Sequence, residues 1–164
     1  MRHIDTNSLT AVFGLVGVII GGAITAFTTY WIERQRALRD ERKEQRKRLI
    51  EVKRAARLID EDFKWAWAAV SLAIEDKRWP TVGHDPVRLE AWQEHRGLLA
   101  SETTLGDWRV LQAAVRAMES YKSARNEAIG RGAWEIDEKR LGYRQTEKTA
   151  IQKGREVLKP FVAD

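Results

Sequence analysis

Three histidines and one acidic run are the residues of this chain that could transfer protons or bind a metal. The histidines, His3, His84 and His95, lie far apart, and none has a second ligand four residues away as a zinc-binding helix requires. The carboxylates of residues 60–62 are consecutive, so they splay around a helix and do not converge on one ion. We therefore expect the acidic run to be a solvated helix face that can pair with basic residues of a neighbour.

Other signatures of catalysis are missing from the sequence. The chain has no cysteine, which excludes disulfides, thiolate metal sites and a cysteine nucleophile. It has no phosphate-binding GxxxxGK loop, no GxGxxG and no GxSxG. These observations predict a protein that is not an enzyme, with no catalytic residue, no metal site and no cofactor.

The first third of the chain has an uneven distribution of charge. Residues 6–32 carry none, whereas residues 33–57 carry eleven basic side chains against five acidic ones. Residues 9–32 form a helix of about 36 Å, long enough to span a bilayer with some tilt. Tyr30 and Trp31 would anchor its end at the headgroups. A cleaved signal peptide is disfavoured because its apolar region would be shorter and a basic block would not follow it.

The basic block predicts the orientation of this span. Positive residues stay on the cytoplasmic side, so the sequence predicts a single-pass protein of the inner (cytoplasmic) membrane with residues 1–8 outside and the C-terminus inside. The bilayer, and anionic headgroups in particular, would then be a partner of the block. Nucleic acid is an unexpected partner because the remaining 107 residues are nearly neutral. The residues assigned to topology and headgroup contact are Arg34, Arg36, Arg39, Arg42, Lys43, Arg46, Lys47 and Arg48.

Small residues share one side of the predicted span. They allow two helix backbones to approach closely, which can drive association in lipid, although glycine is also common in spanning helices that do not associate. The residues of this packing face are Gly14, Gly17, Gly21, Gly22 and Ala26.

Residues 33–48 are predicted to continue the helix as a basic juxtamembrane stalk. Opposite charges recur at helical spacing, for example at Asp40 and Lys43. Disorder remains the alternative for residues 39–48, because they contain no apolar residue that could pack against a domain.

Apolar residues then recur at alternating steps of three and four, which predicts a heptad seam. The seam widens near Trp67, which favours packing within a helical bundle over a coiled coil between chains, although both remain possible. Its members are Leu49, Val52, Ala56, Ile59, Phe63, Ala66, Val70 and Ala73.

The rest of the chain is read as helical. Residues 79–86 contain two prolines and a glycine and break the first helix. A short second helix follows, then a third that is capped at Thr104 and ends at residues 130–132. A fourth helix contains Gly142 and Gly154, which predict bending or fraying, and Pro160 is expected to end it. The fold class is therefore all-α, with an antiparallel bundle of three or four helices over residues 49–164.

Tryptophan positions suggest where a partner could bind. Trp92 and Trp108 lie on apolar stripes and are predicted core residues. Trp65 and Trp67 are two residues apart and point to opposite sides of one helix, so at least one should lie outside the seam. An exposed tryptophan often marks an interface, which makes this pair the candidate partner site.

The layout resembles that of uncharacterised bacterial and phage proteins that have an N-terminal anchor, an arginine-rich stalk and a short helical domain. The resemblance concerns architecture alone and carries over no functional residue. The leading hypothesis is a non-enzymatic, membrane-anchored scaffold whose cytoplasmic bundle binds a protein partner or a second copy. The alternative is a small phage or defence-type membrane effector that acts by oligomerisation of its span.

Overall fold

The chain is all-α, as predicted, in the part that the structure describes. The structure is a computed structural model; it describes the backbone of residues 6–80 and 87–163, and the side chains of residues 22, 27–80 and 87–163. Four helices are present there: α1 (Thr6–Glu75), α2 (Glu90–Glu102), α3 (Leu105–Gly130) and α4 (Glu138–Val162). An isolated antiparallel bridge joins Arg78 to Glu135 between helices.

The chain divides into two compact units, Met1–Arg48 and Leu49–Asp164. In the first unit residues 39–48 are helical, which favours the predicted helix over the disordered alternative. Lys43 lies 3.4 Å from Asp40, one turn away, as the charge pattern predicted. Both side chains are exposed, so this ion pair adds only a few tenths of a kcal/mol.

The structure contradicts the predicted membrane localisation. Among the described residues no helix is long and apolar enough to cross a membrane. Most of the predicted span, residues 9–32, lies outside the residues whose side chains are described. The single-pass topology and the membrane-effector hypothesis, which depended on it, are not retained.

The second unit is a helical bundle around one hydrophobic core. Seven of the eight heptad-seam residues, from Val52 to Ala73, are buried in it. The seam therefore packs against the chain's own later helices. Leu49 is the exception; it is exposed and is the first residue of the unit.

Contacts between helices give the directions of packing. Ser120 of α3 bonds Glu147 of α4, and Ala114 lies against Gly154, so α3 and α4 run antiparallel. Arg155 of α4 donates to Asp60 of α1 at 3.0 Å, which confirms that the acidic run pairs with a neighbouring helix. The predicted core residues Trp92 and Trp108 stack with ring centroids 5.1 Å apart, although Trp108 is only half-buried.

A local signal in the sequence placed the beginning of α3 correctly. Thr104 is the N-cap of α3, and its Oγ1 accepts a hydrogen bond from the backbone N–H of Asp107. Asp137 caps α4 in the same way by accepting from Arg140 N at 2.8 Å. Gly132, in the turn after α3, has a positive φ of 68°, the backbone conformation that favours glycine.

Two predictions for the last helix, that Pro160 ends it and that it frays at its glycines, are wrong. Pro160 does not end α4, which continues to Val162. A proline in the last turn removes only one helical hydrogen bond, and the half-buried residues Phe161 and Val162 pack against the core. The helix also runs unbroken through Gly154, which packs closely against Ala114 of α3 and Phe63 of α1.

Candidate functional site

Three large apolar side chains form an exposed row on α1. Burial of the heptad seam turns the opposite side of the helix to solvent. Leu58, Trp65 and Leu72 follow one another at seven-residue steps, so they lie nearly in line along the helix. Their exposed fractions are 38%, 59% and 52%. Apolar side chains of this size, exposed in a row beside a well-formed core, are characteristic of interaction surfaces.

Charged residues flank this row, with basic side chains near one end and acidic side chains near the other. Arg54 and Arg57 lie towards its N-terminal end, and Glu75 and Asp76 lie at its C-terminal end. All four are exposed. We call this surface the α1 outer face; its residues are Arg54, Arg57, Leu58, Glu61, Lys64, Trp65, Ala68, Leu72, Glu75 and Asp76.

An open groove of about 630 Å³ borders the α1 outer face at Trp65. Leu58, Trp65 and two carboxylates of α1 form one wall, and the other is formed by Val87, Arg88, Glu90 and Ala91. Lys122 of α3 holds the second wall in place by donating from Nζ to the backbone oxygen of Val87 at 3.2 Å. The groove gives the exposed indole ring a neighbouring depression into which a partner side chain can fit.

The carboxylate of Asp62 in this groove is electrostatically unusual. Its pKa is raised, first by burial and then by repulsion from Glu90; Glu61 adds a smaller effect in the same direction. Arg88 and a hydrogen bond from the backbone N–H of Ala91 lower it in part. A cation bound in the groove would stabilise the charged form of Asp62 and lower its pKa again.

A second groove, of about 1130 Å³, lies at the other end of the row. Leu72 and Asp76 line it together with Trp79, Pro80 and residues 132–135. The backbone N–H of Trp79 donates to the backbone oxygen of Trp134 at 2.9 Å and so holds together the two segments of chain that form the walls of this groove. Solvent-accessible depressions therefore lie beside the α1 outer face at both ends.

The two tryptophans of the predicted partner site lie on different sides of α1 and differ in exposure. Trp65 is exposed on the α1 outer face, as an interface residue must be. Trp67 points to the other side of the helix, is half-buried, and has Lys148 of α4 above its ring at 4.8 Å from the centroid. Only Trp65 thus remains a candidate for partner binding.

A buried polar cluster joins α3 and α4. Arg144 and Glu147 are 6% and 7% exposed, and their Nη1 and Oε2 atoms are 2.9 Å apart. That contact is close but not aligned as a hydrogen bond, whereas Ser120 Oγ donates to the other carboxylate oxygen at 2.7 Å. The guanidinium lies over the rings of Trp79 and Tyr121 at 5.3 and 5.9 Å from their centroids. Sequence reasoning missed this cluster, because a pair three residues apart on a helix is normally solvated.

Burial of this cluster affects the protonation of Glu147. Desolvation raises the pKa of its carboxyl, and this effect outweighs the hydrogen bond from Ser120 and the attraction of Arg144, which both lower it. The folded chain therefore holds a proton on Glu147 more tightly than the unfolded chain does.

Glu147→Gln is expected to remove a pH dependence of the free energy of unfolding. Because the folded pKa is raised, the stabilisation from the protonated carboxyl is complete below the ordinary value of 4.5 and is lost as the pH rises through the raised pKa. Urea unfolding at a series of pH values should show the wild-type chain losing stability relative to the variant across that window. A constant difference, or one of the opposite sign, would contradict the assignment.

The other predicted site residues do not gather at a site. Tyr30 and Trp31 are exposed, and Trp31 stacks on Phe27 with centroids 6.4 Å apart. Gly22 has no other residue within 4 Å of where a Cβ would lie. Gly14, Gly17, Gly21 and Ala26 lie outside the residues whose side chains are described. The basic residues from Arg34 to Arg48 are all exposed.

The residues with potential metal or proton chemistry also stay apart. His95 lies on α2 with Nε2 3.9 Å from Glu94, whereas His3 and His84 lie outside the described residues. Within the described part of the chain, no group of three or more histidine, aspartate or glutamate side chains could hold a metal ion.

Comparisons of the chain with protein-family models, with curated proteins and with solved structures found no match.

Proposed function

We propose that this chain is a non-enzymatic scaffold or interaction protein, and that its helical domain binds other proteins through the α1 outer face. The observation that supports the proposal is the exposed row of Leu58, Trp65 and Leu72 on a helix whose opposite side is buried in the core. Burial of apolar surface contributes about 25 cal/mol per Å², so three such side chains provide a substantial driving force for association.

The position of Trp65 supports the same proposal. Several large aromatic residues of the domain, such as Trp79, Trp92 and Tyr121, are buried in the core. Trp65 instead stands in solvent at the centre of the row and beside a groove. Tryptophan is the residue type most enriched among those that dominate binding energy at interfaces, especially at the centre of a patch.

The charges of the α1 outer face provide selectivity. Arg54 and Arg57 occupy one end and Glu75 and Asp76 the other, so the surface has a direction along the helix. A partner that presents the opposite order of charges is favoured, and one with the same order is repelled at both ends.

The proposal is tested by placing a photo-reactive amino acid at position 65 of the full chain. The matched control carries it at Leu105, which is at least as exposed as Trp65 (67% against 59%) but lies at the start of α3. We expect protein adducts at position 65 that are absent at position 105 and that decrease when Leu58 and Leu72 are both changed to serine. Identical adducts from the two positions would overturn the proposal.

Trp65→Ala should then weaken the binding of the identified and purified partner by about thirtyfold or more, the effect of losing a residue worth at least about 2 kcal/mol. Titration calorimetry measures the dissociation constant. Leu105→Ala should leave that constant unchanged, and circular dichroism should show that both variants keep the helical content of the wild type. Equal binding by Trp65→Ala and wild type would contradict a role for this face.

A further inference from the structure

We propose that the partner of the α1 outer face is a second copy of this chain, bound antiparallel about a two-fold axis that passes near Trp65. This inference rests on the proposed function and names the occupant of the same surface. A two-fold interface uses the same patch on both copies, so the patch must be complementary to itself. The spacing of apolar and charged residues along α1 meets that requirement.

The apolar residues are symmetric about Trp65. Leu58 precedes it by seven residues and Leu72 follows it by seven. In an antiparallel pairing centred on Trp65, each Leu58 therefore lies opposite Leu72 of the second copy, and the two Trp65 rings meet at the axis. The three apolar side chains of the row on each copy thus become covered by one symmetric contact.

The charges are complementary in the same alignment. Arg54 precedes Trp65 by eleven residues and Asp76 follows it by eleven, so the two lie opposite each other. Arg57 lies eight residues before Trp65 and Glu75 lies ten residues after it, on the same flank of the helix, so these two side chains also come close to each other across the pairing. The basic end of each copy thus meets the acidic end of the other.

A parallel pairing of the same face would be unfavourable. It would place the arginines of one copy against those of the other, and the two acidic ends together.

Near the axis of the antiparallel pairing, the two Lys64 side chains approach each other. Glu61, one turn from Lys64, supplies a compensating carboxylate from each copy. This self-complementary order favours a second copy over a partner whose charge is of one sign.

The sequence allows a direct test because it contains no cysteine. Single variants Leu58→Cys, Trp65→Cys and Leu72→Cys of the full chain are oxidised mildly and analysed on a non-reducing gel. A disulfide requires Cα atoms about 4.4–6.8 Å apart. In the proposed pairing, position 58 lies about 21 Å from position 58 of the second copy, which is too far.

We therefore expect Trp65→Cys to form covalent dimers, and Leu58→Cys or Leu72→Cys alone to form none. A mixture of Leu58→Cys and Leu72→Cys chains, which retains Trp65, should form the mixed dimer. Leu105→Cys, exposed but away from the face, serves as the control and should remain monomeric on the gel. Self-linking at position 58 and at position 72 would overturn the antiparallel arrangement.

Charge reversal provides a second measurement. Arg54→Glu with Arg57→Glu should weaken dimerisation about tenfold or more, since both ends of the symmetric contact become repulsive. Adding Glu75→Lys and Asp76→Lys should restore it, because opposite charges face each other again. Analytical ultracentrifugation of the full chain measures the dimer dissociation constant. If the variant with all four substitutions does not regain dimerisation, the proposed pairing of charges is overturned.

The outcomes separate this inference from the proposed function. A chain that stays monomeric and forms no disulfide at any of the three positions overturns the second-copy inference. If the photo-reactive residue at position 65 then links to a different protein, the proposed function stands with another partner. If the photo-reactive residue at position 65 forms only the adducts that the control at position 105 also forms, the second-copy inference and the proposed function are both overturned.

Discussion

Arg144→Ala is expected to lower the free energy of unfolding of the helical domain by about 3–5 kcal/mol. The substitution leaves the carboxylate of Glu147 buried without its ion-pair partner, and only Ser120 still donates to it. It also removes the guanidinium from the faces of Trp79 and Tyr121 and opens space between them. Urea unfolding followed by circular dichroism measures the loss.

Two controls isolate the effect of burial. Arg131 and Glu127 form an ion pair with the same 2.9 Å separation, but both side chains are more than half exposed. Arg131→Ala should cost at most about 1 kcal/mol, because water screens and replaces the lost interaction. Replacing both buried partners, by Arg144→Met with Glu147→Leu, should recover most of the stability that Arg144→Ala loses. Equal costs for Arg144→Ala and Arg131→Ala would show that the buried pair has no special role.

Gly154→Ala should destabilise the domain by about 1–3 kcal/mol, although alanine is the better helix former. A Cβ at this position would lie 2.6 Å from the Cβ of Ala114 and 2.7 Å from Cε2 of Phe63, closer than carbon atoms can approach. Three helices therefore have to move apart to accommodate one methyl group. The same unfolding experiment measures the change.

Gly142→Ala is the matched control on the same helix. Gly142 is exposed and has no other residue within 4 Å of the new Cβ, so this variant should gain up to about 1 kcal/mol. In the background of Ala114→Gly, which removes one of the two clashes, Gly154→Ala should cost less than it does in the wild type. A stabilising Gly154→Ala would mean that α4 does not approach α1 and α3 as closely as described.

These two glycines show where reasoning from local sequence fails. Both were expected to weaken α4, because glycine has a low helix propensity wherever it occurs. The structure distinguishes them by their surroundings, since Gly154 lies against Phe63 and Ala114 and Gly142 lies in solvent. The contacting residues are 40 or more positions away in the chain, so no local pattern could reveal the difference.

Local patterns did predict the elements themselves. The steps of three and four from Val52 to Ala73 identified the buried side of α1, because helix periodicity depends only on backbone geometry. The cap at Thr104 and the turn at Gly132 were predicted from side-chain and backbone chemistry within a few residues. The same approach placed the end of α4 too early at Pro160, because packing of the last turn compensates for one lost hydrogen bond.

The candidate site, too, was predicted only in part by local sequence. From the two-residue spacing alone, Trp65 and Trp67 had to point to different sides of α1. Which of them remained in solvent depended on α4, which brings Lys148 over the ring of Trp67 and leaves Trp65 uncovered.

The sequence by itself thus determined the helices, their turns and the inward side of α1, since these follow from interactions between residues close together in the chain. Only the tertiary structure decided the exposure of Trp65, the buried pair of Arg144 and Glu147 and the tight contact at Gly154. Each of these depends on how closely separate helices approach one another, and that distance is set by the packing of the whole core.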